Sequence, residues 1–393
     1  MKRVTGRYER TSVAGEEVAA FIPAPLPPNA PPIAIDGALA GLLQRADAAL
    51  DRLDLASALV PSTSWFIYSF VRKEAVLSSQ IEGTQATLID LFTYEAAGKT
   101  DSAQQADVQE VCNYLDAIAF ARRQIHGAKG LPLSLRLLNE THRRMMKGVR
   151  GAERKPGEIR RSQNWIGGTR PGNAAYVPPP PHVLGELLGR FEEYFHAKSD
   201  LPTLVRVGLL HVQFETIHPY LDGNGRIGRL LVTLLLEHWR LLSQPLLYLS
   251  LFFKQHRLEY YRLLNAVRTE GDFEGWLCFF LEGVAVIAEE AIATAKALFE
   301  LVTADRAKVL AAPSTSVMAA RLFELMPEHP VITIGNAVKL LGTTKPTATK
   351  AVTALVDAGV LAEMTGRRRD RTFSYSVYLD RLRAGTEPDT PRR

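Results

Sequence analysis

The sequence predicts a mainly α-helical fold with one β-hairpin set into it and a small helical module with two strands at the C-terminus. Three observations carry this. Apolar residues recur at helical spacing over most of the chain, as at Leu39, Leu42, Leu43, Ala46, Leu50 and Leu53. One stretch, Gly157 to Pro181, breaks the pattern with β-branched, aromatic and Gly/Asn-rich sequence. Beyond residue 315, helical runs give way to two strand-like runs around a basic tip.

Composition bounds the rest. A chain of 393 residues holds two or three domains, and 46% apolar with 23% charged residues marks it as globular. The balance of 47 Lys+Arg against 42 Asp+Glu leaves +5, too little to argue for nucleic acid from net charge. Cys112 and Cys278 are far apart and form no C-x-x-C pattern, so a reducing compartment is expected. The first ten residues lack the apolar core of a signal peptide, and no run of about eighteen uncharged apolar residues exists. A cytoplasmic protein without a membrane segment is expected.

Taken in order, residues 22 to 32 are proline-rich and read as an extended strap. Helices are expected over Ile35 to Leu59, Trp65 to Glu82, Ala106 to Gln124, and from Leu131-Pro-Leu-Ser134 to Met146. In the last of these Leu135, Leu138 and Met145 form a packing stripe. A hairpin follows, with its turn near Gly172-Asn173, and a lone hairpin must lie on something to persist. Helices resume over His182 to His196 and Leu201 to Thr216. Tandem Tyr260-Tyr261 on a later helix implies one buried and one half-exposed ring, and Phe273 to Leu301 closes the helical core. After a linker at Ala311 to Ser316 come helices at Val317 to Met326, Ile334 to Leu341 and Lys345 to Asp357. Gly366-Arg-Arg-Arg-Asp-Arg371 and a strand Phe373 to Tyr378 complete a winged-helix pattern, with Arg367, Arg368, Arg369 and Arg371 suited to phosphates. Such modules meet either DNA or protein.

The chemistry concentrates in His218-Pro-Tyr-Leu-Asp-Gly-Asn-Gly-Arg-Ile-Gly-Arg229, between the apolar helical segments Leu204 to Thr216 and Leu230 to Leu242. Gly223, Gly225 and Gly228 let the backbone approach a ligand. A glycine-rich turn opening a helix presents N–H groups and a positive dipole end to an anion. Arg226 and Arg229 are expected on one face of that helix's first turn, where cations oppose the dipole. Polyphosphate is the reason for their presence. His218 can take a proton near neutral pH, and Asp222 offers a hard oxygen to a divalent cation. Gly223 to Gly228 also fits G-x-G-x-x-G, but a helical segment precedes it. Leu246-Leu-Tyr-Leu249 stands where a dinucleotide fold needs an acidic residue, so that reading is rejected. A zinc site would need further clustered ligands.

This stretch resembles the Fic (filamentation-induced-by-cAMP) motif, H-P-F-x-D/E-G-N-G-R-x-x-R, at eight of its nine defined positions; Tyr220 stands where Phe is usual. The resemblance implies a Fic-type helical core whose β-hairpin is a flap, over 160–177, that holds a target segment by strand addition. It implies transfer of AMP from ATP to a Tyr, Ser or Thr hydroxyl of target proteins, self-modification included, with Mg²⁺. In those terms His218 is the base and Asp222 holds the metal. Gly223, Asn224 and Gly225 stabilise charge on the α-phosphate, Arg226 and Arg229 grip the β- and γ-phosphates, and Ile227 and Gly228 complete the ATP-binding loop. Tyr261 lines the adenine pocket. Ser78-Ser-Gln-Ile-Glu82-Gly83 resembles the family's inhibitory helix, Ser78 sharing a face with Glu82 and Gly83 ending the helix. There Glu82 pairs with Arg229, which makes it an ATP-site residue as well.

The expected division is an N-terminal helical region over 1–110, a Fic core over 111–305 and a winged helix over 315–381, in a homodimer. Related Fic-fold enzymes move phosphate, UMP or phosphocholine, or remove AMP; intact Glu82 and both arginines favour AMP transfer. From another class, the chain could be a DNA-binding regulator whose Fic core senses ATP, an idea motivated by Arg368 and Arg369.

Overall fold

The computed structural model describes residues 3–59, 64–98, 104–366 and 370–388. The chain opens on a β-hairpin, β1 (Gly6–Val13) antiparallel to β2 (Glu16–Pro23), with Arg10 opposite Ala19. Ala14 and Gly15 turn it, at φ 52° and 83°; two left-handed residues give the turn whose twist matches paired strands. No strand is expected in the N-terminal helical region over 1–110, so this hairpin is a correction to it. β1 is largely exposed and carries Arg7, Glu9 and Arg10, so no apolar alternation announces it. The proline-rich strap is tied down by Arg3, whose guanidinium donates to the Pro31 and Pro32 carbonyls (2.8 and 3.0 Å) and pairs with Glu274 at 2.8 Å.

Helices follow: α1 (Gly37–Leu59), α2 (Ser64–Ile81), α3 (Leu88–Ala97), α4 (Gln105–His126), α5 (Leu135–Met145), α6 (Leu184–His196), α7 (Thr203–Ile217) and α8 (Asn224–His238). Then come α9 (Ser250–Gln255), α10 (Arg257–Glu270) and α11 (Phe273–Ala311), which runs ten residues beyond the predicted Leu301. The C-terminal part holds α12 (Val317–Leu325), β3 (Val331–Thr333), α13 (Ile334–Leu341), α14 (Lys345–Asp357), β4 (Ala362–Glu363), β5 (Thr372–Ser374) and α15 (Ser376–Leu382). Among the described residues no helix is long and apolar enough to cross a membrane.

The chain packs as two units, Met1–Asp54 with Asn113–Ala288, and Leu55–Cys112 with Glu289–Arg393. The predicted three-way division does not coincide with this packing, because residues 64–98 associate with the C-terminal part. α3 packs against β3, Ser69 Oγ lies 3.0 Å from the Tyr378 hydroxyl, and the Gln80 amide donates to the Thr386 carbonyl at 2.9 Å. Such partners are remote in sequence and leave no local pattern.

In the second unit the strands form one antiparallel sheet in the order β3-β5-β4, with Ile332 opposite Phe373. The strand predicted over Phe373 to Tyr378 stops at Ser374 and turns into α15. Tyr375, Tyr378, Leu379 and Leu382 are all buried there at helical spacing, and that period overrides the aromatic, strand-like composition. Arg367, Arg368 and Arg369 lie outside the described residues. Arg371 lies 3.3 Å from Glu363 and over the Phe373 ring.

The core of the first unit is built on α7 and α8. α7 is buried from Leu204 to Ile217, so it turns no face to solvent over that length. Trp276 of α11 donates its indole N–H to the Gly208 carbonyl at 2.8 Å. His211, fully buried in mid-α7, donates from Nδ1 to the Gly228 carbonyl of α8 (3.0 Å) and accepts from the Tyr260 hydroxyl at Nε2 (2.9 Å). The carbonyl can only accept, which fixes the tautomer. Burial lowers the His211 pKa to about 3 from the usual 6.5.

The unfolded chain therefore protonates His211 as pH falls below about 6.5 while the folded chain resists until about 3. The stability tied to this group is complete above pH 6.5 and declines on acidification through that window. Urea unfolding at pH 7 and pH 4.5 should show a smaller loss in His211→Gln than in wild type. The expected difference is about 2.5 kcal/mol, at ~1.4 kcal/mol per pH unit. Equal losses in both proteins would mean that His211 titrates normally.

Candidate active site

Helix α7 ends where its C-terminal carbonyls run out of intrahelical partners, and the structure meets that need with donors from elsewhere. The Tyr176 hydroxyl donates to the Thr216 carbonyl at 2.7 Å. The Arg160 guanidinium donates to the carbonyls of Ile217 (3.5 Å), His218 (3.0 Å), Pro179 (2.5 Å) and Ser162 (3.2 Å), and its main-chain N–H to that of Pro219 (2.9 Å). His218 caps the helix in the left-handed conformation, φ 49° and ψ 62°, an uncommon place for a residue with a Cβ. Its side chain is half-buried. Arg160 is buried, and burial lowers its pKa to about 10, which leaves it charged at neutral pH.

The middle of the loop is closed by Asn224, whose amide oxygen accepts from the Tyr220 N–H and whose nitrogen donates to the Tyr220 carbonyl, both at 2.8 Å. The Asn224 side chain is therefore spent on the loop, and only its main chain is left to face a ligand. Tyr220, standing where Phe is usual, is buried and donates its hydroxyl to Asn139 Oδ1 at 2.8 Å, which explains how the extra oxygen is tolerated. Its ring stacks on His142 with centroids 3.9 Å apart.

His142 accepts from the Gly157 N–H at Nδ1 (2.8 Å) and donates from Nε2 to the Asp222 carbonyl (2.9 Å). Burial lowers its pKa to about 4, against the opposing pull of that bond, so it is neutral at physiological pH. With the Asp222 main chain held, its carboxylate is left partly exposed and 3.9 Å from Arg226. Gly223 then turns at φ 76°; a Cβ there would lie 2.8 Å from Met146 Sδ and 3.1 Å from His142 Nε2, so both conformation and space require glycine.

α8 begins at Asn224, and its first intrahelical bond runs from the Ile227 N–H to the Gly223 carbonyl at 3.1 Å. The N–H groups of Asn224, Gly225 and Arg226 thus lie at the positive end of the helix. Arg226 is in the first turn but 1% exposed, its guanidinium 3.3 Å from Met146 Sδ. Arg229, expected in the first turn, is in the second and 3% exposed. The difference arises because the helix starts at Asn224 and a turn is about 3.6 residues long. The Ile227 side chain is core, and Gly228 gives its carbonyl to His211. Neither offers a side chain to a ligand.

The flap is a loop rather than the predicted ladder. A single antiparallel bridge joins Ile166 to Tyr176, and a short 3₁₀ turn covers Pro171–Asn173. Four consecutive prolines from Pro178 supply no N–H donors, which stops the pairing. The flap lies on the N-terminal hairpin: the Phe21 N–H donates to the Val177 carbonyl at 3.0 Å, and Val13, Val18, Ala20 and Val177 form one cluster with Trp165 against it. Glu16 adds a pair with Arg170 at 2.7 Å.

Of the remaining predicted residues, Tyr260 is buried and Tyr261 is 42% exposed, with Arg257 at 5.9 Å from its ring. In the other unit, α2 ends at Ile81, and the Gly83 and Thr84 N–H groups return to the Gln80 and Ser79 carbonyls (3.0 and 3.3 Å) with Gly83 at φ 101°, a Schellman end. Ser78 is buried and Glu82 half-buried. Sequence reasoning missed Asn139, His142, Met146, Arg160 and Tyr176. Asn139 and His142 are on α5 and Met146 caps its end, in a helix whose stripe of Leu135, Leu138 and Met145 reads as packing; nothing local distinguishes Arg160 or Tyr176.

Comparison with known proteins gives this geometry a family. Residues 132–236 match the family model described as "Fic/DOC family", and residues 40–123 match "Fic/DOC family N-terminal". The chain is 34% identical over 154 residues to the protein adenylyltransferase Fic of Drosophila willistoni, and 37% identical over 152 residues to that of Culex quinquefasciatus. These alignments cover 39% and 38% of this chain but 28% and 27% of the relatives, so the chain spans little over a quarter of their length. A Fic family protein from Desulfovibrio desulfuricans G20 shares the fold, with a TM-score of 0.57 and 20% identity over 88% of this chain and 97% of the other. Fic-1 from C. elegans gives 0.51 and 18% over 66% and 73%. The chain thus carries a Fic/DOC domain over residues 132–236, which holds the motif loop, and a Fic/DOC N-terminal region over residues 40–123.

Proposed function

We propose that this chain is a protein adenylyltransferase that moves AMP from ATP to a Tyr, Ser or Thr hydroxyl of target proteins, itself included. The observation that carries the reading is the loop between α7 and α8. It sets a half-buried histidine at one end and the start of a helix, with its positive dipole end, at the other. The adenylyltransferase names of the curated relatives support it.

In this reading His218 takes the proton of the incoming hydroxyl as its oxygen bonds to the α-phosphorus. The bond from that phosphorus to the bridging oxygen breaks, and pyrophosphate leaves. The main-chain N–H groups of Asn224 and Gly225 stabilise the charge that develops on the α-phosphate. Arg226 and Arg229 hold the β- and γ-phosphates, and Tyr261 borders the adenine. Asp222 fits Mg²⁺: a partly exposed carboxylate suits an ion that binds through one or two carboxylates together with substrate phosphates. Bound there, Mg²⁺ neutralises phosphate charge. The 160–177 segment presents the target hydroxyl. The restraint assigned to Ser78, Glu82 and Gly83 through Arg229, on the strength of the resemblance, belongs to the same proposal. The winged-helix reading of 315–381 is also part of it; with Arg371 beside Glu363, no observation favours DNA over protein as its partner.

Incubation with α-labelled ATP, Mg²⁺ and cell lysate, read by mass spectrometry of labelled bands, should yield AMP-modified hydroxyls. His218→Ala should lower the rate by ~10²–10⁴ with nucleotide affinity nearly unchanged. Label transfer by the variant at the wild-type rate would remove His218 as the base.

Glu82→Gly should raise self- and target labelling by about ten-fold or more, equivalent to ~1.4 kcal/mol. Adding Arg229→Ala should abolish that gain. A Glu82→Gly protein that labels no faster than wild type would count against the restraint and leave AMP removal as the role of Glu82.

A further inference from the structure

The base of the proposed reaction sits in a conformation that its own sequence does not favour. His218 has φ 49°, on a residue that is neither Gly nor Asn, at the last turn of a buried helix. Such positions persist only where the surroundings over-determine them. What determines this one is visible. Arg160 contributes five contacts from a single residue: its guanidinium to the carbonyls of Ile217, His218, Pro179 and Ser162, and its own N–H to the carbonyl of Pro219. Three of the five land on consecutive carbonyls centred on the base. The other two land on Ser162, in the entering arm of the 160–177 segment, and on Pro179, in its proline-rich exit.

We propose that Arg160 is the positioning residue for His218, holding the base's main chain in its left-handed turn and locking it in register with the segment that presents the target. This deepens the reading of the chain as an adenylyltransferase and rests on it. The chemistry suits arginine and no other residue. A planar guanidinium offers five donors in a fixed fork, whereas lysine offers a compact point charge with three. A cation at a helix C-terminus also answers the dipole there. Burial makes the site exacting, since each carbonyl left without its donor pays for desolvation. Arg160 touches neither hydroxyl nor phosphate in this scheme; it acts through His218.

The test uses the full chain with Arg160→Gln and Arg160→Lys, measuring kcat and KM for AMP transfer, ATP affinity by calorimetry, and crystal structures of both variants. Arg160→Gln should lower kcat by about 10²-fold, the scale on which a misplacement of about 1 Å acts, with ATP affinity within about threefold of wild type. Arg160→Lys should recover part of that loss, and Arg160→Gln should cost almost nothing further in a His218→Ala background. In the Arg160→Gln crystals His218 should leave the left-handed region. Should Arg160→Gln fail to fold, Arg160→Lys carries the test, with a smaller fall in kcat at unchanged ATP affinity. Unchanged kcat in both variants, or loss of ATP affinity in step with kcat in both, would overturn the proposal. So would a His218 that stays at φ near +49° in both. A wild-type chain that transfers no AMP would sink the adenylyltransferase reading instead, and the His218 conformation in the variants would still decide the role of Arg160.

Discussion

Every main-chain carbonyl from Thr216 to Asp222 is met by a donor from elsewhere in the chain, and the loop's shape follows from that. Tyr176 takes Thr216, Arg160 takes Ile217, His218 and Pro219, Asn224 takes Tyr220, Asn164 reaches Leu221 at 3.5 Å, and His142 takes Asp222. A buried carbonyl without a donor is costly, so these seven bonds together leave the loop little freedom. The N–H groups at the start of α8 lie at the positive end of that helix, where the dipole favours an anion. The loop is shaped as much by what faces its back as by the glycines within it.

The donors come from three regions that support one another in turn. His142 is on α5, Asn224 opens α8, and Arg160, Asn164 and Tyr176 belong to the flap segment. The flap has only one bridge of its own and rests on the β1–β2 hairpin through Phe21, Glu16 and a small apolar cluster. A hairpin pair of this size is marginal alone, and here each part completes the other's burial. The first residues of the chain thus hold the flap that caps the loop. In the second unit, α2 and its Schellman end belong with the C-terminal helices and strands through Ser69, Gln80 and α3.

The sequence makes the helices and the loop legible for the same reason: both are local. α7 and α8 announce themselves by apolar runs, and the loop by a dense cluster of glycine, carboxylate, histidine and arginine. The predicted glycine at the end of α2 turns out to sit at φ 101°, in a Schellman end that spans only the consecutive residues Ser79 to Thr84. What was not legible depends on remote partners. Nothing near Arg160 says that it will reach Ile217 and Pro179, and nothing near His142 says that it will meet Gly157 and Asp222. The N-terminal hairpin was hidden because its first strand is exposed and charged, so the Ala14-Gly15 turn was the sole signal. The flap looked more regular than it is because its aromatic and β-branched residues suggest strands, while the prolines that follow withhold the donors strands require.

The central claim is that this loop offers its α8 end to a phosphate. Amide ¹⁵N–¹H shifts during titration with ATP and Mg²⁺ test it most directly. The account predicts that the largest perturbations fall on Asn224, Gly225 and Arg226, with Tyr220 and Leu221 changing little because their groups are already committed to the loop. Perturbations centred on other parts of the first unit, with those three amides unmoved, would contradict it.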